Sequence, residues 1–113
     1  MKRGEIWWAS TGEPSGSEAG YRRPFIIVSA NKLNDSDLRT VLTIPLSRKV
    51  SREAYPENVR IPASRSGLRH PSVAIVNQVS TLNKLVLTER IGRVPDALMS
   101  RIDDGLRVIL ALE

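Results

Sequence analysis

Pro24-Phe25-Ile26-Ile27-Val28-Ser29 is the stretch that decides the fold of this chain. Four consecutive apolar residues after a proline read as a β-strand buried on both faces, because a strand with one wet face would alternate apolar and polar residues. Proline is tolerated at the first position of such a strand. Upstream, residues 10–20 are rich in Ser, Gly and Glu, have little to pack, and read as a long exposed loop. Before that loop, Ile6-Trp7-Trp8-Ala9 reads as a first strand. Adjacent Trp7 and Trp8 must face opposite ways, so one is expected in the core and the other toward solvent or a partner.

Downstream the pattern repeats in short pieces. Residues 31–37 form a polar connector with room for a helical turn, and Thr40-Val41-Leu42-Thr43-Ile44 resumes the β pattern. Pro45 is expected to end that strand or to confine it to an edge. Residues 47–56 read as a second polar loop carrying Arg48, Lys49 and Arg52. Residues 58–62 suggest a short strand and 64–67 a turn, residues 72–81 contain one further apolar strand, and 86–94 another. The period then changes. Leu98, Ile102, Leu106 and Ile109 recur at helical spacing with Arg101, Asp104 and Arg107 between them, which reads as one amphipathic helix with Pro95 in its first turn. The expected fold is mainly β with α: a small β-barrel closed by a C-terminal helix, as a single domain over residues 1–113.

Composition narrows the chemistry. A chain of 113 residues builds one core, and the absence of Cys excludes disulfides, thiolate metal sites and a cysteine nucleophile. The single His, His70, excludes a histidine pair, and its Gly-containing polar turn puts it on the surface. The net charge of +5 favours a polyanionic partner. Residues 95–113 carry two Arg against four carboxylates, so the positive charge is concentrated in the β-rich part. No segment reads as a secretory signal or a bilayer span, and the expected compartment is the cytoplasm.

Two loops gather unusual residues. In the first, Arg22 reads equally as a solvated charge, whereas Arg23 is held extended by Pro24 at the mouth of a buried strand. A guanidinium fixed there offers a forked donor for phosphate oxygens. In the second, Ser47 follows a strand and is itself followed by Arg48 and Lys49, a hydroxyl and two cations suited to a phosphoryl group, although Ser after a strand is also ordinary turn chemistry. Tyr21 and Tyr55 lie in loops beside cations and are candidates for stacking on bases.

These residues resemble a family. Lys2-Arg3-Gly4-Glu5-Ile6-Trp7-Trp8, Gly16-Ser17-Glu18, Arg23-Pro24-Phe25-Ile26-Ile27-Val28-Ser29, the stretch to Ser47, Asn77-Gln78-Val79-Ser80-Thr81-Leu82 and Leu87-Thr88-Glu89-Arg90-Ile91-Gly92-Arg93-Val94 look, in this order, like the MazF/PemK toxins of bacterial toxin–antitoxin systems. The resemblance implies an SH3-like barrel of the CcdB/PemK kind, a homodimer, and sequence-selective cleavage of single-stranded RNA without metal or cofactor. It implies catalytic roles for Arg23, Ser47 and Glu18, and a place in the RNA groove for Gln78. Asn77, Tyr21, Arg22, Arg48 and Lys49 complete the expected RNA-binding set. Ser47 stands where the family usually has Thr. Asn77 and Ser80 also depart from the common pattern, which bears on the RNA sequence recognised. A cognate antitoxin with an acidic, disordered tail would suit the basic barrel. A non-enzymatic gyrase inhibitor of the CcdB type is the alternative, against which stand Arg23, the hydroxyl at 47 and a C-terminus without Trp.

Overall fold

The computed structural model describes residues 1–10 and 22–113. Glu18 and Tyr21 lie outside the described residues. Seven antiparallel strands form a curved sheet: β1 (Glu5–Ser10), β2 (Arg22–Ile27), β3 (Thr40–Ser47), β4 (Val59–Ile61), β5 (Ser72–Ala74), β6 (Ser80–Asn83) and β7 (Leu87–Arg93). A one-turn helix α1 (Asn31–Asn34) links β2 to β3, and α2 (Asp96–Ile109) ends the fold. The spatial order is β4-β5-β3-β2-β1-β7, with β6 also paired to β3. Register shifts on β1 against β7 bend the sheet, as bulges do.

The gap between the outer strands β4 and β7 is spanned by the turn around Ser66. Its carbonyl accepts the Arg93 N–H at 3.1 Å. Gly67 and Gly92 let the two backbones meet, for a Cβ on either would strike the other segment's main chain. The result is a half-barrel closed by a loop, with a helix packed on it.

Both faces of β2 are buried, as its apolar run requires. Ile26 and Val28 join Ile6, Ile44, Ile61 and Ile102 in the larger cluster beneath α2. Phe25 and Ile27 join Ala9, Val41 and Leu87 in a smaller one, against which Trp7 packs. Trp7 is thus the tryptophan that turns toward a core, and its indole N–H donates to Glu5 Oε1 at 3.1 Å. Trp8 lies beneath the guanidinium of Arg22, 4.6 Å from ring centroid to Cζ.

Three sequence expectations are corrected. Pro45 neither ends β3 nor sits on an edge, since β3 continues to Ser47 with β2 on one side. On its other side β3 pairs with β6 over Thr40–Thr43 and with β5 from Leu46 onward. Pro45 falls at the exchange between these partners, where its carbonyl accepts from Ile75 N at 3.1 Å and no strand requires its missing N–H. Residues 72–81 contain not one strand but β5, a 3₁₀ turn over Val76–Gln78, and the start of β6. Pro95 caps α2 rather than lying within it, its carbonyl accepting from Leu98 N and Met99 N.

Candidate nucleic-acid interface

Arg23 is the second residue of β2 and is exposed, while Ser47 closes β3 and is half-buried. The β2–β3 register pairs Phe25 with Pro45, Ile26 with Ile44 and Ile27 with Thr43. Arg23 and Ser47 each lie two residues beyond the last pair, Phe25–Pro45, and Ser47 itself pairs with Val73 on β5. Ser47 Oγ accepts from Lys49 N at 3.2 Å, a local turn that fixes the hydroxyl oxygen and leaves its hydrogen to be donated.

Beside this end lies an open cleft of about 460 Å³. One wall is the 3₁₀ turn over Val50–Ala54 with its flanks, bringing Lys49, Arg52 and Tyr55. The other is the Val76–Gln78 turn, bringing Asn77 and Gln78. This second wall is tied to β3 through Ile75 N and the Pro45 carbonyl, and turns because Gln78 N bonds back to Ile75 O. Among the described residues the lining carries two cations, a phenol and three side-chain amides, and no carboxylate. That composition suits a polyanion with planar bases.

Of the RNA-binding residues expected from sequence, Lys49, Asn77 and Gln78 therefore share one cleft. Arg48 is exposed next to it without lining it. Arg22 is not brought to this place. It alternates with Arg23 to the other face of β2, where it donates to Glu89 at 2.9 Å and covers Trp8. His70 is exposed, as expected.

Asn58 was invisible to sequence reasoning as a site residue. It follows Glu57, whose φ of 70° places it in the left-handed region, and on sequence it reads as an ordinary turn residue. Its importance lies in contacts to segments that only the fold brings near.

Two carboxylates are held below their ordinary range, and neither lines the cleft. Burial alone would raise Glu5, but the Lys2 N–H, the Trp7 indole and the Arg90 guanidinium together outweigh it. Asp35 is lowered mainly by its hydrogen bond from the Lys2 ammonium. Both serve the fold. Among the described residues no three His, Cys, Asp or Glu side chains gather where they could hold a metal ion, and no helix is long and apolar enough to cross a membrane.

Known proteins share this sequence and shape. Residues 2–110 match the family described as PemK-like, MazF-like toxin of type II toxin–antitoxin system. The chain is 41% identical over 112 residues to Endoribonuclease MazF6 of Mycobacterium tuberculosis, covering 99% of this chain and 98% of that protein. It is 30% identical over 112 residues to Endoribonuclease EndoA of Bacillus subtilis, with 99% and 96% covered. Among solved structures, a mycobacterial endoribonuclease in complex with its cognate antitoxin superposes with a TM-score of 0.79 at 24% identity, covering 100% of this chain and 95% of that one. A MazE–MazF complex from Deinococcus radiodurans superposes with a TM-score of 0.82 at 19% identity, with 100% and 97% covered. At these identities the superpositions establish the fold, and the sequence matches establish the kinship. This chain belongs to the PemK/MazF family of toxins of type II toxin–antitoxin systems.

Proposed function

We propose that this endoribonuclease toxin cuts single-stranded RNA without a metal ion, by attack of the substrate's own 2′-hydroxyl on the adjacent phosphorus. The 5′-oxygen leaves, giving a 2′,3′-cyclic phosphate and a 5′-hydroxyl end. RNA supplies the nucleophile, so the protein has to supply only orientation, proton transfer and stabilisation of charge on the pentacoordinate phosphate. Arg23 stabilises that charge with its guanidinium, and Ser47 donates its hydroxyl to a non-bridging oxygen. A guanidinium is a poor base, which leaves Glu18 as the candidate to accept the 2′-hydroxyl proton.

The observation that supports this reading is the cationic cleft lined by Lys49, Arg52, Asn77 and Gln78 next to the end of β3, where Ser47 lies. The reading also has the support of kinship with proteins named endoribonucleases. The protein works in the cytoplasm as a homodimer, and a cognate antitoxin silences it by laying an acidic, disordered tail along the cleft. The CcdB-like alternative lacks the support of kinship with proteins named endoribonucleases.

The test is incubation of the purified protein with single-stranded RNA in excess EDTA, followed by sequencing of the new ends. Cleavage leaving 5′-hydroxyl ends, reduced about 100- to 1,000-fold by Arg23→Ala, is the expected result. Intact RNA, or cleavage restored only by added divalent cations, would overturn the proposal.

A further inference from the structure

The two walls of the cleft are separate in sequence, and one side chain clamps them together. Asn58 Nδ2 donates to the Arg52 carbonyl at 3.0 Å, in the first wall. Asn58 Oδ1 accepts from Val76 N at 3.2 Å, in the second. Both ends of the amide are used, so its orientation is fixed and neither half can turn without losing a bond. The backbone N–H of Asn58 also donates to the Tyr55 carbonyl at 3.3 Å, holding the phenol-bearing residue to the same point.

Helix α2 backs this clamp. Gly105 is buried against it, and a Cβ there would lie 3.0 Å from the Glu57 carbonyl oxygen and 3.2 Å from Val76 Cγ1. Glu57 and Val76 belong to the two walls, so the helix presses on both from behind. The cleft is a braced structure and not a chance hollow between loops.

Its contents name a ligand class. Tyr55 is 67% exposed and offers an aromatic face that the core does not use. Asn77 and Gln78 each carry a donor and an acceptor in one plane, the chemistry that reads a base edge in pairs of hydrogen bonds. Lys49 and Arg52 supply positive charge for the flanking phosphates. An aromatic platform, planar amides and cations together fit an unpaired nucleobase of a single strand. The Ser47–Lys49 turn and the Ile75–Pro45 bond join this cleft to the end of β3, next to the phosphate site.

We infer that Asn58 is the positioning residue that sets the distance between Tyr55 and the amides of Asn77 and Gln78, and through it the base selectivity of this cleft. The inference rests on the reading of the chain as a ribonuclease and assigns the source of its sequence selectivity.

The experiment uses the full chain and a single-stranded RNA library of random sequence, cleaved to low conversion with the new ends sequenced. It is paired with kcat and KM on the preferred site. Tyr55→Ala raises KM about 5- to 150-fold, the loss expected for one base–aromatic stack, with a smaller change in kcat. Asn58→Ala relaxes base preference at the same single position that Tyr55→Ala relaxes. Asn58→Asp retains the acceptor for Val76 N but loses the donor to Arg52, and relaxes that position as well. In the double variant Tyr55→Ala/Asn58→Ala the two effects fail to add, because both act through one pocket. Tyr55 is exposed, so its variant folds whatever happens at 58. Unaltered base preference in Tyr55→Ala overturns the inference while leaving the ribonuclease reading intact. So does an Asn58→Ala protein that loses rate equally on all sequences in step with its melting temperature. RNA left whole by the unmutated protein overturns both.

Discussion

Ser47 shows how little a single residue needs to change to alter its use. Its oxygen closes a turn by accepting from Lys49 N, which any Ser after a strand can do. What makes it a candidate donor to phosphate is its place at the end of β3, two residues before Lys49 on the cleft wall. Ser47→Ala should therefore lower the single-turnover cleavage rate by about 100-fold, the usual loss for one aimed donor. Ser47→Thr keeps the hydroxyl and should retain activity. At Glu18 the proposed role is proton acceptance, so Glu18→Gln should slow cleavage and flatten the acidic limb of the pH–rate profile. An unchanged profile would remove Glu18 from that role. The amide pair on Asn58 works at the same scale, because two hydrogen bonds fix the spacing of residues that themselves touch RNA.

At the scale of elements, the sheet is shaped by where strands stop and exchange partners. β3 serves β6 with its first half and β5 with its second, and Pro45 marks the change. The same exchange breaks residues 72–81 into strand, turn and strand, which places Asn77 and Gln78 on a tight turn instead of along a strand. Gly92 on β7 lies against the Ser66 carbonyl, which also accepts the Arg93 N–H. Gly92→Ala forces those backbones apart and should cost about 1–3 kcal/mol, as overpacking does. Urea unfolding of the variant, with an unchanged m-value, is the check. Helix α2 was legible as an element, but of its periodic set only Ile102 is fully buried: Leu98 and Leu106 are half-buried, Ile109 is exposed, and Met99 and Gly105 complete the buried face. The β5–β6 break was not legible, because Ser72-Val73-Ala74-Ile75-Val76 reads the same whether it pairs with one neighbour or is about to lose it.

Over the whole molecule, charge is used twice, for partners and for closure. Arg3 joins the two ends of the chain: its Nε donates to the Val28 carbonyl at 2.8 Å, and its other nitrogens form a two-pronged pair with Asp103 on α2. Arg3→Ala should destabilise the fold by about 1.5–3 kcal/mol, the range for hydrogen bonds to charged groups, and lower its thermal midpoint. Glu5 ties β1 to β7 through Arg90 at 3.0 Å. Its folded-state proton affinity lies below the ordinary 4.5, so its contribution is full above that pH and disappears as pH falls through the lowered value. The melting-temperature gap between wild type and Glu5→Gln should accordingly be constant near neutrality and narrow below about pH 4.5. A gap that widened on acidification would contradict the assignment.

The sequence by itself determined that the chain is a β-rich domain ending in an amphipathic helix. Apolar periodicity and punctuation by Pro and Gly are local properties, carried in a few consecutive residues. It also singled out Arg23, Ser47 and Lys49, because charge and hydroxyl chemistry can be read one residue at a time, while Asn77 and Gln78 came from the family resemblance. Only the tertiary structure decided which of them meet. Arg22 and Arg23 are neighbours in sequence, yet the pleat sends one to Glu89 and Trp8 and the other to the opposite face of β2. Asn58 and Val76 lie 18 residues apart, yet the amide that bonds the nearby Arg52 carbonyl also bonds Val76 N and makes a wall-to-wall clamp. Pairing register and side-chain bridges depend on segments brought together after the chain has collapsed, and no local pattern encodes them.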